Sequence, residues 1–188
     1  MNDVAPPSDP APASGLRAPR WARAVRHALA QPSAAPRVSL HSGLLACAGV
    51  FTVIAVLGWC SFQAHTLLLL GSFGSTAVMV FTFPELHFSQ PRSVIGGHVI
   101  CTAVGLAALA AFGPSWWALA GAAAASAALM MLSGTLHPPA GSNPIIVFLA
   151  APTWSFLLFP TLFGALVLVG VAVLYHRATG RTYPRYWR

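Results

Sequence analysis

Between residues 44 and 175 the chain carries two formally charged side chains, Glu85 and Arg92. A water-soluble domain uses roughly 25% charged residues, whereas this chain has 7% charged and 56% hydrophobic residues. A surface built from such a composition cannot face water, so the chain reads as an all-α integral membrane protein with one polytopic helix-bundle domain. All ten basic residues are arginine and most flank the apolar region, the pattern of membrane anchoring by positive charge. The net charge of +7 therefore does not indicate nucleic acid, since no basic patch with interleaved aromatics lies on a soluble domain. Cys47, Cys60 and Cys101 are odd in number and all lie in apolar runs, which excludes a disulfide framework and marks them as packing residues.

Residues 1–43 read as a disordered, basic cytoplasmic tail. No secretory signal peptide is expected there, because no apolar core precedes a cleavage site. Arg17, Arg20, Arg23 and Arg26 recur every three residues opposite Trp21, Val25 and Leu29, the pattern of a short basic helix on anionic headgroups or of an unstructured tether. Six apolar segments follow, at 44–62, 66–83, 94–112, 115–132, 140–151 and 156–175. A span needs about 20 apolar residues, within a range of about 17–25. The first, third, fourth and sixth qualify as full helices. The second contains a Gly-Ser-Phe-Gly-Ser-Thr interruption and the fifth is short, so both read as broken or re-entrant. The transmembrane domain covers 44–176, and 177–188 form a basic C-terminal tail. Arginines at both ends place both termini in the cytoplasm, which requires an even number of crossings. Four crossings fit the segment lengths, and six fit Arg92 better. Trp116, Trp117, Tyr175, Tyr183, Tyr186 and Trp187 suit the interfacial aromatic belts.

The two broken segments resemble one another. GSTAVMVF from Gly74 aligns with GSNPIIVF from Gly141, 67 residues on, as a two-fold internal repeat would. Paired Gly/Pro-interrupted segments in two halves point to a transport site near the membrane midplane. Within TLHPPAGSNP, at 135–144, Pro138 and Pro139 lack N–H donors and Pro138 forces His137 toward an extended backbone. The fourth helix is thus expected to end near His137. Gly141 permits a reversal, Asn143 is expected to cap a new helix, and Pro144 suits its first position. A helix N-terminus in hydrocarbon offers N–H groups and partial positive charge to an anion. Ser75 or Thr76 is expected to mark a matching helix start in the first copy. Ser72, Ser75, Thr76, His137, Ser142 and Asn143 add hydrogen-bonding groups.

LHPPAGSNPIIV resembles the signature of the HPP family, membrane proteins named for a His-Pro-Pro motif. GSFGSTAVMVF is similar to that family's Gly-rich second segment, and FSQPRSVIGGHVI to its Gln-Pro-Arg-x-x-x-Gly-Gly-His stretch. The likeness covers about residues 40–178. The resemblance implies a four-helix membrane protein with a transport role, some plastid and cyanobacterial members being regarded as nitrite transporters. Two departures stand out. Asn143-Pro144 occupies a place where many relatives have a small or apolar residue. The cystathionine-synthase-type regulatory domain of some relatives is not expected within these 188 residues.

Arg92, at the start of the third helix, suits either anion collection at a cytoplasmic mouth or topological anchoring. Glu85 is the one acid of the domain and a candidate partner for Arg92 or His87. Gly97, Cys101 and Gly105 make a small-residue face for close helix approach. His98 lies beside that face, as an interhelical bond or a proton carrier. His65 reads as interfacial, and no metal or cofactor is expected, since His65, His98 and His137 match no local ligand spacing. The leading expectation is a non-enzymatic transporter or channel in a bacterial-type plasma (inner) membrane. It carries a small inorganic anion such as nitrite and forms a homo-oligomer in the bilayer. Its pathway is lined by His137, Pro138, Pro139, Gly141, Ser142, Asn143, Gly74, Ser75, Thr76, His98 and Arg92. The alternative is a non-transporting partner subunit of a membrane complex. An intramembrane enzyme lacks any Ser-His, paired-Asp or His-Glu metal constellation.

Overall fold

The computed structural model describes residues 19–22, 25, 39–65 and 69–187. The chain divides into two units, Met1–Arg37 and Val38–Arg188. In the first, Arg20, Trp21, Ala22 and Val25 are helical; the rest of the expected basic helix and tail lies outside the described residues. The second unit is all-helical among its described residues. Its helices are α1 (Leu40–Ala64), α2 (Gly71–Thr82), α3 (Pro91–Phe112), α4 (Trp116–Leu132), α5 (Asn143–Ala150) and α6 (Phe163–Ala178). Turns of 3₁₀ helix occupy His87–Ser89 and Pro138–Ser142, and a π-helical stretch, Leu157–Leu162, leads into α6. Three stretches are long and apolar enough to cross a membrane: Leu40–Gln63, Pro91–Phe112 and Leu157–Ala178; Trp116–Leu132 is a shorter apolar helix.

Large apolar side chains cover the outside. Phe62 and Trp116 are each 82% exposed and Leu132 is 84% exposed, far more apolar surface than a water-facing monomer displays. Inside, Val53 and Leu57 of α1 pack with Phe73, Ala77, Val80 and Phe81 of α2 and Leu168, Val169 and Ala172 of α6. The buried positions of α3 run Ser93, Val94, Gly97, His98, Cys101, Thr102, Gly105 and Leu106. That i, i+1, i+4, i+5 stripe turns one face of α3 to the core along its length.

Several breaks fall elsewhere than the sequence suggests. Gly71-Ser-Phe-Gly-Ser-Thr76 is not an interruption but the first turns of α2, which starts after an extended Leu70. Gly74 and Thr76 are therefore inside a continuous helix, whereas Gly141 sits in a 3₁₀ turn, so the aligned copies differ in backbone at this step. Helix α4 ends at Leu132, before His137. Gly134 takes φ 65°, and the Gly134 and Thr135 amides return to the Met131 and Met130 carbonyls at 3.3 and 2.9 Å. This is a Schellman ending, which needs a left-handed residue just past the cap. His137 is extended (φ −137°, ψ 96°) before Pro138, as the proline requires. Asn143 begins α5 without capping it. The last span bends where Pro160 interrupts it, with Phe159 at φ −139° and ψ 116°, because proline removes a donor from the helical ladder.

The segment from His137 to Val147 advances along α3. A Cβ at Gly97 would lie 2.8 Å from the His137 Cβ, and one at Gly105 would lie 3.0 Å from the Pro144 Cα and 3.3 Å from the Val147 Cβ. The small-residue face of α3 thus receives the broken segment itself. At one end of the bundle the chain ties its elements together. The Tyr175 hydroxyl donates to the Leu45 carbonyl (2.8 Å) and Arg181 donates to the carbonyls of Phe81 (3.1 Å) and Ser42 (3.4 Å). The Tyr183 hydroxyl donates to the Ser89 carbonyl (2.9 Å), and the Arg185 amide donates to Gln90 Oε1 (2.9 Å). The residues after α6 thus lie against the start of α1, the end of α2 and the start of α3. Tyr183 is 6% exposed, and burial pushes its phenol above the usual value.

Gly105→Ala has backbone in its way and is expected to lose about 1–3 kcal/mol of stability. Gly170→Ala in α6 meets nothing within 4 Å and is expected to gain up to about 1 kcal/mol from helix propensity. Helix loss on heating in detergent, followed by circular dichroism, reads both.

Candidate functional site

Four of the residues singled out in the sequence converge in the interior. Thr76 of α2, His98 of α3, His137 of the extended stretch and Asn143 of α5 are each 0% exposed. Thr76 Oγ1 lies 3.0 Å from His98 Nε2 and 2.8 Å from His137 Nε2, and the two ring centroids are 5.2 Å apart. Asn143 Nδ2 lies 3.1 Å from His98 Nδ1, 3.3 Å from the His98 carbonyl and 2.8 Å from Thr102 Oγ1. Thr102 Oγ1 lies 3.3 Å from Thr161 Oγ1. The far side of His137 meets the Phe88 carbonyl, 2.7 Å from Nδ1.

Hydrogen positions follow from these partners. A carbonyl only accepts, so His137 Nδ1 carries the hydrogen and its Nε2 is the acceptor in the neutral ring. The Asn143 atom beside the His98 carbonyl must be the amide nitrogen, so it donates to His98 Nδ1. The hydrogen of neutral His98 then sits on Nε2 and is donated to Thr76 Oγ1. The single hydroxyl hydrogen of Thr76 serves either His137 Nε2 or the Ser72 carbonyl, 2.9 Å away. One bonded chain, all neutral, runs from Thr161 through Asn143, His98, Thr76 and His137 to the turn before α3.

Local sequence explains each position. Thr102 follows His98 by one turn on the buried stripe of α3. His137 is held extended by Pro138 and lies over Gly97, where any side chain would exclude it. Asn143 faces α3 because α5 lies along Gly105. Its Oδ1 is buried without a hydrogen-bond partner among the described residues.

The other candidates are not in this cluster. Ser75, Pro138 and Pro139 border an apolar groove of about 510 Å³ with Val78, Met79 and Phe83. Gly74 and Gly141 are half-buried, and Ser142 Oγ closes its own turn onto the Pro139 carbonyl at 2.9 Å. Arg92 is exposed and donates to the Ser133 carbonyl at the end of α4, at 2.7 Å. Its charge complements that carbonyl end, and it forms no ion pair with Glu85. Glu85 instead borders a polar cavity of about 350 Å³ with Ser42, Thr82, Arg181 and Arg185. His65 ends α1 in a left-handed conformation, outside the cluster. Among the described residues no three His, Cys, Asp or Glu side chains are grouped to hold a metal. The expected pair of facing helix starts does not form, because Thr76 is in the second turn of α2, and side chains make the polar spot instead. Thr102, Thr161 and the Phe88 carbonyl were missed in the sequence. Helical spacing from His98 signals Thr102, whereas nothing local signals the other two.

Residues 35–184 match the family described as "HPP, transmembrane region". The chain belongs to the HPP transmembrane family. Two relatives in Dictyostelium discoideum, both named as transmembrane proteins, are 33% identical over 150 residues and 29% identical over 134 residues. The first alignment covers 73% of this chain and 53% of the relative, and the second covers 66% and 43%. The chain therefore spans about half the length of these curated relatives. No solved structure matches it. The HPP match takes in every member of the bonded chain, from Thr76 to Thr161.

Replacing Asn143 by Ala strands the partners of its amide and is expected to destabilise the protein by about 1–3 kcal/mol. Ser142→Ala, which removes a bond at a half-buried turn, is expected to cost less than 1 kcal/mol, on the order of a weak local bond. Thermal unfolding in detergent compares the two.

Proposed function

We propose that this HPP protein is a transporter or channel for a small solute, with a small inorganic anion such as nitrite as the best fit. The observation that carries the reading is the buried chain of neutral hydrogen-bonding groups at the broken segment. Polar groups inside a membrane protein are costly and mark solute or proton paths. Asn143, Thr102, Thr76 and the two imidazoles carry donors, and among the described residues no carboxylate is bonded to any of them. A cation path would be expected to display acidic oxygens. Ser75, Pro138 and Pro139 line a groove on two of the same elements, Gly74, Gly141 and Ser142 are their near neighbours in the chain, and the reading gives Arg92, at the bundle end, the part of a collector of anions. The reading gives the protein no enzymatic activity and no cofactor.

The contacts at the bundle end support six passes over four. Ser42, Ser89, Gln90 and the stretch from Arg181 to Arg185 are bonded together. The starts of α1 and α3 therefore lie on the side where the last span ends. With arginines at both ends, that side is the cytoplasmic face of a plasma membrane of bacterial type. Oligomerisation fits a groove of about 410 Å³ between α3 and α4, lined by Ala107, Ala111, Ala118, Gly121 and Ala122 with Phe112 and Trp117. Small residues let a helix of a second copy approach closely.

Reconstituted vesicles test the reading. Nitrite uptake is expected with the wild-type chain and is expected to fall about a hundredfold in His137→Ala, as loss of a buried imidazole that links two elements of the path implies. A wild-type protein inert toward nitrite, nitrate, formate and bicarbonate, and always recovered with one partner, would favour a non-transporting subunit. Six passes predict that cysteines introduced as Arg92→Cys and Arg177→Cys react with an impermeant reagent from the same side.

A further inference from the structure

The geometry points to a second property of this cluster: His98, Thr76 and His137 together take up one proton, Thr76 turning its hydroxyl to the Ser72 carbonyl as they do so, and that proton travels with the anion. This rests on the transport reading for its anion, and on the bonding pattern alone for its proton.

The argument is a count of hydrogens. As bonded, the three side chains hold three exchangeable hydrogens, on His98 Nε2, Thr76 Oγ1 and His137 Nδ1. Asn143 Nδ2 occupies His98 Nδ1 as a donor, so no proton can rest there. The Asn143 amide is fixed the same way by the His98 carbonyl and Thr102 Oγ1, at 3.3 and 2.8 Å, so His98 keeps its hydrogen on Nε2. Thr76 Oγ1 also lies 2.9 Å from the Ser72 carbonyl, and turning the hydroxyl hydrogen there frees its lone pairs for both rings. Thr76 then accepts from His98 Nε2 and also from His137 Nε2. The Phe88 carbonyl, 2.7 Å from His137 Nδ1, still requires a hydrogen there. His137 is now an imidazolium with both nitrogens protonated. This second arrangement holds four hydrogens, and every bond in the row is again made. The difference is one proton gained from water and one positive charge. No bond other than N–H and O–H changes.

Among the described residues the proton has no resident counter-ion. The groups bonded to the two rings are Thr76 from α2, Asn143 from α5 and the Phe88 carbonyl. Phe73 packs edge-on against His98. The titratable and charged side chains on the packed elements are Cys101 and Arg92 of α3, His87 beside Phe88, Glu85 near the end of α2, and His176 and Arg177 of α6. Cys101 donates to Met130 Sδ, Arg92 to the Ser133 carbonyl, and His176 faces the Val80 carbonyl. His87 packs on Phe88, and Glu85 borders the cavity at the bundle end. None is bonded to either ring. A lone buried charge is strongly disfavoured, so proton loading and anion binding favour one another, and the loaded complex is neutral overall.

The test begins with the full chain, labelled with ¹⁵N-histidine in lipid, and compares spectra from about pH 8 to about pH 5 with and without nitrite. His98→Gln and His137→Gln assign the signals. The expected result is a neutral Nε2–H ring at His98 and a neutral Nδ1–H ring at His137 at high pH. Acid adds one imidazolium to the pair, and nitrite makes it appear at higher pH. Two independently protonated rings, or no imidazolium under any condition, overturn the proposal. Vesicles containing a trapped pH dye supply the second arm. Nitrite entry is expected to acidify the lumen beyond the protein-free control and to be indifferent to a clamped membrane potential. Thr76→Val is expected to lower that acidification by about tenfold or more, whereas Thr76→Ser restores it. Uptake of nitrite without a proton overturns the proposal and leaves the transport reading intact. A proton-loaded pair without any uptake keeps the proton site and removes the transport reading.

Discussion

The hydroxyl of Thr76 meets two imidazole nitrogens, at 3.0 and 2.8 Å, that arrive from two other elements. In hydrocarbon no water relieves an unpaired nitrogen, so these two bonds fix how α2, α3 and the stretch before α5 must sit. Asn143 extends the same row to α3 and, through Thr102, to the bent last span. Four segments are thus held in register by uncharged side chains rather than by ion pairs. Because Thr76 has one hydrogen and two imidazole neighbours, the positions of all hydrogens in the row depend on one another.

Glycine makes room for this row. Gly97 lets His137 lie against α3, and Gly105 does the same for Pro144 and Val147. The broken segment therefore follows α3 over more than two turns, close enough for Asn143 to reach three different atoms of α3. A helix break that only accommodated packing would not require two histidines and an asparagine fully enclosed at its centre. At the bundle end the chain after α6 performs a different task. Arg181 answers the Phe81 carbonyl that the end of α2 leaves open and also reaches the Ser42 carbonyl in the first turn of α1, and Tyr183 answers one in the turn before α3. Arg92 answers another at the end of α4. Arginines that read as topological markers thus also satisfy the backbone.

Much of the site was legible in residue type and spacing. His137, Asn143, Thr76 and His98 were all singled out, because polar groups in apolar runs are expensive and few. The small-residue stripe of α3 was legible as well, since Gly97, Cys101 and Gly105 repeat at one turn. The break points were less so. The Gly-Ser-rich stretch before Thr76 looked like an interruption, but glycine and serine are tolerated in a helix whose neighbours cover it. The His-Pro-Pro motif looked like the end of α4, but Gly134 ended it earlier by taking a left-handed conformation. Asn143 looked like a cap, and its side chain was claimed by α3 instead.

The sequence by itself determined that the chain is an all-helical membrane protein, with long apolar stretches, a proline-broken segment and arginines at its ends. Those follow from transfer free energy and from the missing N–H of proline, which are local properties of residue type. Only the tertiary structure decided that Thr76 bridges two histidines 39 positions apart, that Asn143 turns away from its own helix, and that Arg92 binds a carbonyl rather than Glu85. Which partner a polar group finds in a dry interior depends on distances between segments that are remote in the chain, and those distances are set only when the helices pack.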